Sequence, residues 1–185
     1  MKYLLAAAVM ALSSTVIFSG SAAAQAEDAW VQSLRISADQ GDAMAQYNLG
    51  AMYDNGEGVP ENDAEAVKWY RLAADQGDAV AQYAVGLMYA NGEGVPENDV
   101  EAVKWYRLAA DQGEASAQVI LGFMYATGEG VPEDYVQAYM WWNLAAAQGH
   151  ENAIRNKDFV RNRITTAQIA EAQKLSAAWK PVSER

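Results

Sequence analysis

The sequence predicts an all-α protein, a right-handed α-solenoid, and three observations carry that prediction. The first is an internal repeat: Ala38-Asp39-Gln40-Gly41 returns as Ala74-Asp75-Gln76-Gly77 and again as Ala110-Asp111-Gln112-Gly113. The second is helical spacing of apolar residues, found twice within each unit. The third is a glycine-proline stretch that separates the two helical runs at the same place each time. A period of 20–50 residues marks an array in which each unit buries its apolar face by stacking on its neighbours. Residues 38–73 and 74–109 differ at only six positions, Met44/Val80, Asn48/Ala84, Leu49/Val85, Ala51/Leu87, Asp54/Ala90 and Ala64/Val100.

Within a unit, Asp42 is placed to cap a first helix carrying Ala45, Leu49, Met52 and Tyr53 at helical spacing. Asn55-Gly56-Glu57-Gly58-Val59-Pro60 stops it, since two glycines supply positive φ and proline cannot continue a helix. Asn62 or Asp63 then caps a second helix, with Ala66, Trp69, Tyr70 and Ala73 on one side and Gly77 just past its end. The units are set at 38–73, 74–109 and 110–145, and a degenerate fourth start follows, the array region ending at 149. Residues 27–37 form an opening helix that covers the first unit, with Trp30 and Leu34 expected on its packing side. Residues 150–185 form a helical cap. Asp158 falls where the units have Gly50, Gly86 and Gly122, so the glycine loop never arrives and 151–163 can run on as a helix. Thr165 and Gln168 then make a capping box for a last helix with Ile169, Ala172, Leu175 and Trp179 expected inward.

The chain opens with Lys2, an apolar run from Leu4 to about Phe18 and the small-residue ending Ala24-Gln25-Ala26. That is the form of a cleavable signal peptide over residues 1–26, cut after Ala26, so a periplasmic or secreted protein is expected, with no membrane insertion after cleavage. No cysteine occurs in the 185 residues, which excludes disulfides, thiolate metal sites and thiol catalysis. The formal charge of −11 argues against nucleic acid, because phosphate binding needs a basic footprint. Residues 38–149 hold 18 acids and 4 bases, whereas 150–185 hold 4 acids and 7 bases. The array is acidic and its tail basic.

The differing positions matter more than the matching ones. Positions 44, 48, 51 and 54 step by four, three and three and so share one stripe of the first helix. The stripe reads Met44-Asn48-Ala51-Asp54, then Val80-Ala84-Leu87-Ala90, then Ser116-Ile120-Phe123-Ala126. Two readings stand: a recognition groove on a copied frame, or packing between repeats that accepts any apolar residue. The candidate partner-binding residues on the first reading are Met44, Asn48, Val80, Leu87, Ile120 and Phe123.

Other features read as structure. Asp54-Asn55-Gly56-Glu57-Gly58 lacks the spacing of a calcium loop. The acids Glu61, Asp63, Glu65 and Glu97, Asp99, Glu101 suit helix N-termini and a solvated face. Trp69-Tyr70, Trp105-Tyr106 and Trp141-Trp142 sit at packing positions, and His150, expected exposed, has no catalytic partner nearby in sequence. No catalytic residue, metal site or cofactor is expected.

Ala45-Gln46-x-x-Leu49-Gly50-x-x-Tyr53-x-x-Gly56-x-Gly58-Val59, continued by Ala66-x-x-Trp69-Tyr70-x-x-Ala73-Ala74-x-Gln76-Gly77, resembles the Sel1-like repeats, relatives of the tetratricopeptide repeats. The second unit repeats the pattern and the third keeps most of it, with Trp142 in the place of Tyr106. The resemblance implies α/α hairpins stacked into a superhelix that acts as a protein-interaction scaffold. The expected function is therefore a non-catalytic exported scaffold, monomeric, that binds a protein or peptide on its concave helix surface, with basic partners favoured by the acidic field. The alternative is an envelope hydrolase or cell-wall-ligand protein like the cysteine-rich, β-lactam-interacting branch, whose paired cysteines this chain lacks.

Overall fold

A computed structural model describes residues 29–182. The expected leader and its cut after Ala26 lie outside the described residues. Among those described there are nine α-helices and no strand: α1 (29–39), α2 (Ala43–Asn55), α3 (Asp63–Asp75), α4 (Ala79–Asn91), α5 (Asp99–Asp111), α6 (Ala115–Thr127), α7 (Tyr135–Ala147), α8 (Glu151–Arg161) and α9 (Thr166–Ala178). From α2 onward each helix up to α8 packs on the next in sequence, and α9 folds back onto α7. The result is the expected α-solenoid.

The caps fall where the sequence puts them. Asp42 and Asp78 each accept from the backbone N–H three residues on, at 2.7 Å, and Glu114 does the same for Ala117 in the third unit. Asn62 and Asn98, rather than the aspartates after them, cap α3 and α5, accepting at 3.1 Å from Glu65 and Glu101. Such caps each contribute roughly 1 kcal/mol by satisfying otherwise orphaned donors. The capping box of α9 is present, with the Thr165 N–H donating to the Gln168 side chain and the Gln168 N–H to Thr165 Oγ1.

Two close approaches hold the stack. The first lies inside each unit, where a ring of the second helix packs directly against a glycine of the first. A methyl group on Gly50 would come within 2.7 Å of Tyr70, and one on Gly86 or Gly122 within 2.6 Å of Tyr106 or Trp142. The second lies between units. Gly94, in the loop of the second unit, abuts the backbone carbonyl of Asp63 in the first, and Gly130 abuts that of Asp99. Both loop glycines have positive φ, 68° and 66°, so an alanine there would be both strained and obstructed. Leu49, Val85 and Leu121 are each fully buried beside these contacts, worth roughly 1.5–3 kcal/mol apiece.

Polar side chains run through the same core. Gln46, Gln82 and Gln118 are buried and donate to the carbonyls of Ala38, Ala74 and Ala110 at 3.0–3.2 Å. Their own carbonyls accept from Gln76, Gln112 and Gln148 at 2.7–3.0 Å. On the outer side Arg35, Arg71 and Arg107 donate to the hydroxyls of Tyr53, Tyr89 and Tyr125, one unit ahead each time. The third unit breaks that series because Asn143 stands where arginine stood; it donates to Ser176 Oγ of α9 at 2.8 Å and accepts from Lys157 Nζ of α8 at 3.1 Å. The substitution turns a repeat contact into an anchor for the closing helices.

Three expectations about facing need correction. Trp30 is 56% exposed, and Val31 packs in its place beside Leu34 and Ala38, the 31–34–38 spacing forming the inner face of α1. On α9, Leu175 is exposed and Ser176 is buried in its place, because Asn143 draws the hydroxyl inward. His150 is half-buried rather than exposed, at the N-cap of α8, where its side chain makes no cap bond. The tryptophans of the paired positions are core as expected: Trp69, Trp141 and Trp142 are buried and Trp105 is half-buried.

Adding one methyl group at Gly86 forces Tyr106 off its seat, so Gly86→Ala should lower stability by about 1–3 kcal/mol, read as a fall of several degrees in the melting temperature by circular dichroism. Gln82→Leu removes the donor to Ala74 and the acceptor of Gln112 together, and should cost a similar ~1–3 kcal/mol in a urea titration.

Candidate concave binding site

The stripe of first-helix positions is half-buried along most of its length, and four of its larger residues are exposed. Met44 is 71% exposed, Val80 and Phe123 are each 47% exposed, and Asn48 is exposed as well. Leu87 and Ile120 are half-buried, packed against the core with one side and open on the other. Packing between repeats therefore accounts for part of Leu87 and Ile120 but not for Met44, Asn48, Val80 or Phe123.

Leu87, Ile120 and Phe123 meet in a groove of about 510 Å³ between the second and third units. Ala90, Val119 and Met124 complete its apolar lining, Tyr106 lies within it, and Asp99 and Glu129 stand on its walls. Met44, Asn48 and Val80 are not part of this groove and lie toward the first unit, on the same stripe.

Two lining residues were not anticipated. Asn152 and Asn156 come from α8. A further count of 36 from Ser116 and Ile120 lands on them, so the signal was in the sequence. It was hidden by Asp158, which breaks the glycine pattern and made 150–185 read as cap alone. In the structure α8 takes the place of a fourth first helix, touching α6 as well as α7, while the exposed Asp158 has no ring to seat. At this end of the groove Arg155 donates to Asn152 at 2.6 Å.

The electrostatics change from unit to unit. Tyr70 donates its hydroxyl proton to Asp54 at 3.1 Å. Burial raises the Asp54 carboxyl above the usual aspartate range; the Tyr70 bond opposes this, and Glu93 and Asp63 add to it. Burial, with Asp54 close by, likewise pushes the Tyr70 hydroxyl well above its ordinary value. In the second unit Ala90 replaces Asp54, and Tyr106 loses that carboxylate; burial, then Tyr83 and Asp99, still raise its hydroxyl. Burial shifts these groups, and the pair joins a phenol to a carboxyl by one hydrogen bond rather than placing a nucleophile beside a base. Among the described residues no cluster of three or more histidine, aspartate or glutamate side chains could hold a metal, and no helix is long and apolar enough to cross a membrane.

The repeat pattern and its stacking are those of one family. A family model for the Sel1 repeat matches residues 43–78, 79–114 and 115–150. The chain belongs to the Sel1 repeat family. These matches begin five residues later than the units set by the Ala-Asp-Gln-Gly restart, a difference of phase within one period. The fold is similar to the crystal structure of a Sel1 repeat protein from Oxalobacter formigenes, at 42% identity and a TM-score of 0.64, covering 69% of this chain and 96% of that one. It is also similar to a protective antigen of uropathogenic Escherichia coli strains that displays an SLR fold, at 30% identity and a TM-score of 0.63. That likeness covers 83% of this chain but only 41% of the antigen, so this Sel1 protein spans less than half its length. The Helicobacter pylori cysteine-rich protein B shares the fold at 20% identity and a TM-score of 0.54, over 67% of this chain and 94% of that protein. No curated protein matches the sequence.

Because the folded state holds Asp54 with a raised pKa, it favours the protonated carboxyl, and the stability this contributes is present below the ordinary value of 3.8 and lost as pH rises through the raised one. Asp54→Asn keeps an acceptor for Tyr70 without the charge. Its melting temperature relative to wild type should therefore be higher at neutral pH than at a pH below the ordinary aspartate value, as measured by paired thermal melts.

Proposed function

We propose that this Sel1 repeat protein is an exported interaction scaffold that docks a protein or peptide on its concave helix surface and performs no chemistry of its own. The observation that carries the reading is the stripe. On a frame copied almost unchanged from the first unit to the second, the first helices vary chiefly at positions that leave Met44, Asn48, Val80 and Phe123 exposed and Leu87 and Ile120 half-buried beside an open groove. A cluster of large apolar side chains left to solvent is the kind of patch that marks a partner site. A surface held rigid by stacked helices loses little ordering entropy when a partner docks. Export is supported by the Lys2, Leu4–Phe18 and Ala24-Gln25-Ala26 pattern at the start of the chain. The hydrolase alternative has no cysteine pair to rest on in this chain.

The test compares wild type with a Leu87→Glu/Phe123→Lys double variant in affinity capture from an envelope extract. Both side chains are partly exposed, so the variant should keep its helical circular dichroism and most of its melting temperature. A protein held by wild type and lost by the variant is the expected outcome. Equal retention by both would move the binding surface off the stripe, and turnover of a chromogenic β-lactam by the purified protein would overturn the non-catalytic reading.

A further inference from the structure

The groove between the second and third units has a definite chemistry. Its floor is apolar, made by Leu87, Ile120 and Phe123. Two carboxylates, Asp99 and Glu129, are set among its lining residues, and no lysine, arginine or histidine lines it. Asp99, at the start of α5, is carried by the second unit and Glu129, after α6, by the third, and Gly130 brings the two backbones close.

A second, independent feature points into the same space. Tyr106 is 1% exposed and lines the groove, yet no acceptor for its hydroxyl is found among the described residues. Its counterpart Tyr70 donates to Asp54, and Ala90 removes that acceptor in the second unit. The hydroxyl is not sealed in the core: it opens on the groove and can donate to an acceptor that enters it. Asn156 adds a side-chain amide at the far wall.

We infer that this groove binds an extended segment of another protein that carries a large apolar side chain next to a lysine or arginine, an assignment that rests on the docking reading above. The apolar side chain fills the Leu87–Ile120–Phe123 floor, the cation pairs with Asp99 and Glu129, and a backbone carbonyl of the segment accepts from Tyr106. An extended segment is required because a helix has already committed its backbone carbonyls internally, whereas an extended backbone offers them to Tyr106 and Asn156. A bare cation would leave the floor wet, and a purely apolar segment would make no use of the two carboxylates.

The experiment uses fluorescein-labelled octapeptides with a central Leu-Lys or Leu-Arg pair, and matched peptides with Leu-Glu or Gly-Lys, titrated with purified protein by fluorescence anisotropy. The Leu-Lys and Leu-Arg peptides should bind roughly tenfold or more tightly than either control, and weaken as salt is raised from about 50 to 300 mM. An Asp99→Asn/Glu129→Gln variant should lose most of the salt dependence and the preference for Lys over Glu. Tyr106→Phe, which keeps the ring on Gly86, should weaken every peptide several-fold and leave the charge preference intact. Melting curves on each variant establish that the fold is kept. Equal binding of all four peptides, no binding of any, or an unchanged preference in the acid-to-amide variant overturns the assignment. If the peptides fail while the Leu87→Glu/Phe123→Lys variant still loses a captured partner, the peptide chemistry falls and the docking reading stands.

Discussion

A line of buried glutamines holds the array together. Gln46, Gln82 and Gln118 each join three helices: a carbonyl near the end of the preceding helix, the helix that carries the glutamine, and a second glutamine capping the end of the following helix. Gln112 and Gln148 extend the line by also donating to the carbonyls of Gly77 and Gly113 at 2.9 and 3.1 Å. Each buried amide donates one bond and accepts another, both to neighbouring helices, so a slide of one helix on the next would break them. Apolar stacking alone would let one unit slide or rotate on the next with little loss. The ladder fixes the register, and through it the distance between neighbouring first helices where the groove forms.

The glycine contacts work with the ladder. With Tyr70, Tyr106 and Trp142 lying directly on Gly50, Gly86 and Gly122, the two helices of a unit approach as closely as backbone allows. Gly94 and Gly130 do the same between units. With the stack held by these contacts, the exposed positions of the first-helix stripe, Met44, Asn48, Val80 and Phe123, are free to differ, while Leu87 and Ile120 also pack on the core. That freedom is visible in the chain: Gly50, Gly86 and Gly122 are invariant among the units while positions 44, 48, 51 and 54 all change.

The charge distribution follows the same division. Many acids of the array sit at helix starts and on loops, where they satisfy backbone donors or meet solvent, while Asp54, Asp75 and Asp111 lie at helix ends, and two acids reach the groove. The bases gather on α8 and the end of the chain, where Lys157 joins Asn143 and Arg163 stacks 3.7 Å above the Phe159 ring. The closing helices thus carry polar and basic side chains on their outer side, together with the exposed Ile154 and Phe159.

The sequence by itself determined the helices, their caps, the period and the stripe, because each of these depends on residues within one unit: Asp42 and Asn62 act on N–H groups three positions away, and the 36-residue count needs no neighbour. The tertiary structure decided what depends on rotation and on contacts across units. It turned Val31 inward instead of Trp30, and Ser176 instead of Leu175, because the partners that settle those choices, the first repeat for one and Asn143 for the other, are distant in the chain. It also brought Asn152 and Asn156 to the groove. Counting could have found them, but Asp158 broke the local glycine pattern, and only the stacking of α8 on α7 and α6 carries the register past that break.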